Sequence, residues 1–142
     1  MTVLRGNHED MLLNVISAPE PGDRALDLWL WNGGELSLLP FARAHRAWFE
    51  ALPYYAIRGP YLLVHAGVRP GVPLEDQRER DLIWIREPFL SQDHGLPYTV
   101  VHGHSITNDF EIERRNRRIG IDTGAFLSGK LTALRLEFET AS

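Results

Sequence analysis

The spacing of apolar residues changes at about residue 54. Before it, apolar side chains recur at intervals of three and four, as in Met11, Leu12, Val15 and Ile16, which is typical of one face of a helix. After it, short β-rich runs are separated by glycine, proline and charged residues. The pattern predicts an α/β (α+β) fold with a helical insert at about residues 8–52 and mostly strands after residue 54.

Three helices are predicted within the insert. The first follows a short apolar strand at residues 2–4 and is broken by Pro19-Glu20-Pro21-Gly22. The second begins with Asp23 as its N-cap, and a third is expected at about residues 44–52. We expect the tryptophans of these helices to be core residues.

The second part of the chain predicts two hairpins, a strand at residues 99–101 and a helix-like stretch before residue 86. The first hairpin pairs residues 54–57 with 61–64, and the second pairs residues 110–113 with 118–121. Apolar and charged residues alternate at 134–139, which predicts a final half-solvated strand. Four arginines between 114 and 118 are interpreted as a solvated hairpin tip and not as a nucleic-acid patch.

Composition restricts the possible partners. The chain has 142 residues, 44% of them apolar, and a net charge of -4, which suits one domain. No apolar run approaches the roughly 18 residues of a membrane span, and no cysteine is present for a disulfide. We therefore expect neither a nucleic-acid nor a membrane partner, and a cytoplasmic location.

Polar side chains follow three of the predicted strands. Asn7 and His8 follow the first, His65 the second and His104 the third. Strand ends gather ligands in α/β proteins, and imidazole nitrogens and amide oxygens suit divalent metals. Each residue alone is more often structural, since residues 5–9 also fit a helix-capping turn with Asn7 as N-cap. Together they indicate a metal site.

Other polar residues receive structural interpretations. We expect His45 and His94 at the surface, His102 in packing and Asp122 in a turn. Glu9 is expected to orient the first motif or cap the helix, and Arg69 to be solvated.

Five short runs together resemble the later motifs of the calcineurin-like metallophosphoesterases. They are Leu4-Arg5-Gly6-Asn7-His8-Glu9, Val64-His65-Ala66-Gly67, Trp84-Ile85-Arg86, Val101-His102-Gly103-His104-Ser105 and Ile121-Asp122-Thr123-Gly124-Ala125. The resemblance is to the bacterial and phage PPP-type serine/threonine protein phosphatases in particular. It implies that residues 1–142 form a single incomplete domain, the C-terminal part of the metallophosphoesterase β-sandwich flanked by helices.

The resemblance also implies a role for each site residue. His8 would be the general acid that protonates the leaving oxygen. Arg5 and Arg86 would bind the substrate phosphate, whose charge a planar guanidinium suits. Metal ligands would be Asn7, His65 and His104.

The implied reaction is hydrolysis of phosphate monoesters by attack of a metal-bridging hydroxide. Phosphoserine and phosphothreonine in proteins are the expected substrates, and other small phosphoesters also fit. Two divalent ions would serve the full-length parent, with manganese preferred and iron, zinc or nickel as alternatives. A symmetrical dinucleoside polyphosphate hydrolase is the alternative enzyme, and a non-catalytic metal-binding or interaction module is the alternative of another class.

Two earlier motifs of the family have no counterpart in the sequence. They have the forms Gly-Asp-x-His-Gly and Gly-Asp-x-x-Asp-Arg-Gly, and they supply the ligands of the first metal and the aspartate that bridges both ions. Gly22-Asp23 fits neither form. We therefore expect the C-terminal part of a phosphatase, with at most one weak metal site in this chain and no activity by the chain alone.

Overall fold

The computed structural model describes residues 1–17 and 23–140. The chain divides into two compact units, Val3–Pro53 and Tyr54–Ser142, with Met1 grouped with the first and Thr2 with the second. Within the described ranges, no helix is long and apolar enough to cross a membrane.

The first unit is helical, which confirms the predicted insert. Its helices are α1 (Asn7–Ser17), α2 (Asp23–Trp31), α3 (Leu39–Ala44) and α4 (Arg46–Glu50), with a 3-10 turn at Leu36–Leu38 before α3. The apolar face of α1 is buried, including Met11 and Val15, each 2% exposed. The predicted helix breaker at residues 19–22 lies outside the described residues.

The start of α1 differs from the predicted turn. Asn7 is the first helical residue and not the N-cap. Gly6 precedes the helix, and its backbone N–H donates a hydrogen bond of 2.8 Å to Glu9 Oε2. A glutamate at the third helical position often caps a helix in this way, because it accepts a hydrogen bond from an otherwise unpaired backbone donor. The capping role expected of Glu9 is therefore confirmed.

The strand predicted at residues 2–4 is wrong. These residues belong to no sheet, and the nearby Arg5 N–H donates a single backbone hydrogen bond to Pro53 O (2.8 Å). An apolar run becomes a strand only where a neighbouring edge is aligned with it, and sequence periodicity does not contain that information.

The third predicted helix, at about residues 44–52, corresponds to α4, and the helix α3 directly before it was not predicted. The chain leaves helical geometry at His45 (φ -113°, ψ 19°), whose Nδ1 lies 2.9 Å from Phe41 O. Trp48, which was expected in the core, is 52% exposed, whereas Ala42 and Phe49 are buried. Trp29 is a core residue as expected, but Trp31 is 91% exposed.

The second unit contains a five-stranded mixed sheet in the order β1-β2-β3-β5-β4. Its strands are β1 (Tyr55–Arg58), β2 (Tyr61–Val64), β3 (Thr99–His102), β4 (Glu113–Arg115) and β5 (Arg118–Gly120). The outer pairs β1–β2 and β4–β5 are antiparallel hairpins, as predicted, but β4 begins at Glu113, where the predicted strand at 110–113 ends. The inner pairs β2–β3 and β3–β5 are parallel. Two short helices, α5 (Glu79–Trp84) and α6 (Ala125–Ser128), complete the unit with a 3-10 turn at Leu74–Asp76.

The strand predicted at residues 134–139 is also wrong. The alternation of exposure is present, with Leu134 and Leu136 less exposed than their neighbours. No strand is assigned there, however, and the segment belongs to no ladder of the sheet. Phe138 instead packs edge-on against Tyr61, with ring centroids 6.1 Å apart. Alternating burial therefore reflects side-chain packing without backbone pairing.

Two polar residues expected at the surface are buried. His94 is 2% exposed; its Nδ1 accepts a hydrogen bond from Leu96 N–H, and its Nε2 lies 2.9 Å from Arg117 O. Arg118, expected in a solvated tip, is 7% exposed and pairs with Glu113 at 2.7 Å. Both ring nitrogens of His94 and the guanidinium of Arg118 are satisfied, which offsets the cost of burying them.

Gly67 is required by close packing in the second unit. A Cβ atom at this position would lie 2.3 Å from the ring of Phe89, which is fully buried. We expect Gly67→Ala to lower the free energy of unfolding by about 2 kcal/mol, since the packed core has to expand to accept the methyl group. Urea denaturation followed by circular dichroism measures the change.

Gly103→Ala is the matched control. A Cβ there would meet His65 O at 3.5 Å, an ordinary contact distance, so the expected loss is below about 1 kcal/mol. Equal losses for the two variants would show that the Phe89 contact does not determine the requirement for glycine.

Candidate functional site

The parallel strands of the second unit bring two histidines together. β2 is followed directly by His65, and β3 by Gly103 and His104. Because β2 and β3 are parallel, their carboxyl ends lie at the same edge of the sheet. Gly103 N–H donates to His65 O at 2.8 Å, and the two imidazole centroids are 5.2 Å apart.

His104 has an unusual backbone and an unpartnered nitrogen. Its φ is +64°, in the left-handed region that non-glycine residues seldom occupy. Its buried Nε2 has no hydrogen-bond partner among the described residues. Buried polar atoms are nearly always paired, so an orphan of this kind requires an explanation.

Electrostatics keep the His104 imidazole neutral. Burial, followed by the charges of Arg86 and His65, lowers the pKa of His104 to about 4. A hydrogen bond to the Trp84 backbone acts in the opposite direction. In a neutral imidazole one nitrogen donates and the other carries a lone pair. When the proton is on Nδ1, the unpartnered Nε2 presents a lone pair, the form that binds a metal.

Arg86 is fixed beside His104 without a counter-ion. Its Nη1 donates to His104 O at 2.8 Å and to Ser105 Oγ at 3.2 Å. The side chain is solvent-exposed, and no carboxylate pairs with it in the described part of the chain. Arg69 differs, since it forms a two-point ion pair with Asp81 at 2.8 and 2.9 Å. Arg86 therefore retains a full positive charge at the carboxyl edge.

Residues next to the two histidines have structural roles. His102, 2% exposed, packs edge-on against Phe89 at 4.9 Å, as expected of a packing residue. Asp122 Oδ1 accepts a hydrogen bond from Gly124 N–H, so its predicted turn role is confirmed. Trp84 contacts the His104 ring edge-on at 5.8 Å.

Three predicted site residues lie in the first unit. Asn7 is buried at the start of α1, and the adjacent His8 is exposed. Arg5 Nη2 donates to the carbonyls of Phe49 and Glu50 at 3.2 and 2.7 Å. Arg5 Nη1 also lies 3.6 Å from Asp10. The roles of these three residues, like those of His65, His104 and Arg86, stay predictions.

Sequence reasoning missed Ser105 and the buried Arg118. Ser105 directly follows His104 in one of the recognised motifs, so its position was the available signal. Arg118 had no such signal, because a cluster of arginines at a hairpin resembles a solvated surface until the partners of each guanidinium are known.

The second unit fits part of a metal site. The neutral His104 with its orphan Nε2 and the adjacent His65 supply two nitrogen donors, and imidazole binds zinc, copper, iron and nickel well. Within the described ranges, no group of three or more His, Cys, Asp or Glu side chains is arranged to hold an ion. The described donors are therefore fewer than the three or four protein ligands of ordinary metal centres.

Comparisons with known proteins found similarity in sequence and in fold. The chain is 29% identical to serine/threonine-protein phosphatase 1 of Salmonella typhimurium (strain LT2) over 154 aligned positions, which cover 96% of this chain and 67% of the phosphatase. It also matches the crystal structure of a protein assigned as a diadenosine tetraphosphatase, with a TM-score of 0.61 and 22% identity. That match covers 89% of this chain and 60% of the solved one, and it supports the fold. No family model matches.

The left-handed backbone of His104 predicts an unusual ranking of substitutions. Glycine adopts a positive φ without a steric cost, so we expect His104→Gly to be more stable than His104→Ala by about 1 kcal/mol. Urea denaturation of the two variants measures this difference. At His45, where φ is -113°, alanine should instead equal or exceed glycine, and the same ranking at both positions would contradict the argument.

The buried His102 predicts a loss of stability in acid. Burial lowers its pKa to about 4, and the charge of Arg118 acts in the same direction. The unfolded chain gains a proton below its ordinary pKa of about 6.5, whereas the folded chain does not. The free energy of unfolding should therefore decrease as the pH falls from about 6.5 to about 4, by up to about 3 kcal/mol from this residue.

Denaturation of His102→Gln across that pH range measures the contribution. The variant should show a shallower decrease than the wild type, while His45→Gln, at an exposed position, should show the wild-type slope. An unchanged slope in His102→Gln would contradict the prediction.

Proposed function

We propose that this chain carries part of the active site of a metal-dependent phosphoesterase of the calcineurin-like type. Its motifs and its similarity to the Salmonella serine/threonine-protein phosphatase 1 support the proposal. The reaction is hydrolysis of phosphate monoesters. Phosphoserine and phosphothreonine in proteins are the proposed substrates, since the matched Salmonella protein is a serine/threonine-protein phosphatase.

The main support for the proposal is the guanidinium of Arg86, which lies beside the neutral His104 and has no carboxylate partner among the described residues. Arg86 is held by two neutral acceptors, so its charge stays available to an anion. A phosphoryl group in transfer spreads negative charge over its oxygens, and a planar guanidinium matches two of them at once. The adjacent lone pair of His104 suits the metal ion that such reactions use.

Each proposed residue has a distinct task. His65 and His104 would hold a divalent ion, with Asn7 contributing an amide oxygen. The ion, when bound, supplies Lewis-acid stabilisation of the phosphate. Arg86 and Arg5 bind phosphate oxygens, and the exposed His8 donates a proton to the leaving oxygen. Manganese is the proposed native ion, and a cytoplasmic location is proposed with it.

Binding of Mn²⁺ to the isolated chain tests the metal assignment. We expect weak binding of one ion per chain in isothermal titration calorimetry, with the affinity reduced at least about tenfold by His65→Ala or His104→Ala. His45→Ala is the matched control and should bind as the wild type does. Absence of binding, or equal binding by all four proteins, would refute the assignment.

Hydrolysis of an aryl phosphate, measured in the same solutions, tests whether the chain is active without the two aspartate motifs. We expect little or no hydrolysis by the 142-residue chain, because its sequence contains neither of the aspartate motifs that would supply a bridging carboxylate. Robust manganese-dependent hydrolysis that both His8→Ala and His65→Ala abolish would show that the chain contains a complete active site.

A symmetrical dinucleoside polyphosphate hydrolase is the second candidate, favoured by the solved structure assigned as a diadenosine tetraphosphatase. Competition of a phosphoserine peptide and diadenosine tetraphosphate for the same site would separate the two substrates.

In-frame translation of the DNA upstream of Met1 tests the non-catalytic alternative. Finding both aspartate motifs in that translation would favour an enzyme. An immediate stop codon would favour a metal-binding or interaction module.

A further inference from the structure

Ser105 is the side chain that hydrogen-bonds Arg86 within the described part of the protein. Both acceptors of Arg86, His104 O and Ser105 Oγ, receive hydrogen bonds from the same nitrogen, Nη1. The Nη1 group has two hydrogens, and this arrangement uses both. The opposite edge of the guanidinium, formed by Nε and Nη2, makes no hydrogen bond to the described residues.

That free edge has the geometry of an oxyanion receptor. Nε–H and one Nη2–H point in parallel, and such a pair binds two oxygens of a carboxylate or phosphate at once. The edge is useful only if the plane of the guanidinium is fixed. A single hydrogen bond through His104 O would let the plane rotate about the bond, whereas two acceptors on one nitrogen prevent this rotation.

We propose that Ser105 is a positioning residue that orients the Arg86 guanidinium for two-point binding of a phosphoryl oxyanion. The inference deepens the proposed function and rests on it. Ser105 touches neither substrate nor metal in this assignment and acts through Arg86 alone.

The local backbone explains how the serine reaches its position. Ser105 N–H donates to Gly103 O at 2.7 Å, which closes a tight turn around His104. The positive φ of His104 belongs to this turn, in which the carbonyl of one residue and the hydroxyl of the next both face Arg86. Ser105 is 8% exposed, so water has little access to replace the hydroxyl.

Both acceptors of Arg86, the His104 carbonyl and the Ser105 hydroxyl, are neutral groups. A carboxylate would fix the guanidinium equally well, as Asp81 does for Arg69 and Glu113 does for Arg118. Such a partner would also cancel the charge that attracts phosphate and would repel the incoming anion. A hydroxyl and a carbonyl fix the orientation and leave the full charge available.

Titration with inorganic phosphate, followed by NMR at the Arg86 Nε–H signal, tests the proposal without added metal. We expect Ser105→Ala to weaken phosphate binding about five- to tenfold, the order of loss for one hydrogen bond to a charged group. Ser105→Thr keeps the hydroxyl and should restore binding to within about twofold. Ser91→Ala is the matched control, since Ser91 Oγ bonds Glu87 and not Arg86.

Thermal unfolding and Mn²⁺ affinity of the same variants separate a positioning role from a structural one. We expect Ser105→Ala to unfold near the wild-type temperature and to bind Mn²⁺ within about twofold of the wild type, because Ser105 is not among the proposed ligands. Loss of Mn²⁺ affinity together with phosphate affinity would show that Ser105 supports the whole turn and would overturn the proposal.

The two proposals fail by different results. Equal phosphate affinity of the wild type and Ser105→Ala, or no rescue by Ser105→Thr, would overturn the role of Ser105 while histidine-dependent Mn²⁺ binding upholds the proposed function. Mn²⁺ binding that does not depend on His65 and His104 would overturn the metal assignment even if Ser105 controls phosphate affinity. A wild-type chain that binds no phosphate would overturn both the role of Arg86 and that of Ser105.

Discussion

The second unit depends on the parallel pairing of β2 and β3, which continues beyond the strands through the hydrogen bond from Gly103 N–H to His65 O. Parallel strands end at one edge of a sheet, so the residues that follow them are neighbours regardless of their distance in sequence. This constraint brings His65 and His104 within 5.2 Å between ring centroids. The turn at Ser105 and the position of Arg86 depend on this pairing. Ser105 directly follows His104, and Arg86 hydrogen-bonds the backbone carbonyl of His104.

Charge is managed differently at this edge and in the rest of the unit. Arg69 pairs with Asp81, and Arg118 pairs with Glu113. The hydrogen bond from Arg69 holds the pKa of Asp81 below its ordinary value. Among the described residues, the hydrogen-bond acceptors of Arg86 are one carbonyl and one hydroxyl. The positive charge of Arg86 opposes protonation of the adjacent His104, which helps to keep that imidazole neutral. Arrangements of this kind concentrate at functional sites.

Much of the fold was predictable because it rests on local periodicity. The interval of three to four apolar residues in α1 and the turn residues Gly59 and Pro60 between β1 and β2 each correspond to one regular structure. The errors arose where an element needs a distant partner. Residues 2–4 and 134–139 have strand-like patterns but pair with no strand in the described part of the chain, and the helix α3 (Leu39–Ala44) was not predicted. His94 was assigned to the surface, yet Leu96 N–H and Arg117 O satisfy both of its ring nitrogens inside the protein.

The sequence by itself determined which residue types are available for chemistry and in what order: Asn7, His8, His65, Arg86 and His104, each beside a strand or helix boundary. It also determined that the two aspartate motifs of the related phosphatases are absent from these residues. Only the tertiary structure decided that His104 has a left-handed backbone and that Ser105 faces Arg86. It also decided that Arg86 has no counter-ion, and His104 Nε2 no hydrogen-bond partner, among the described residues. The reason is physical: the residue types are local properties of the chain, whereas burial, ionisation and hydrogen-bond partners depend on atoms that folding brings from elsewhere.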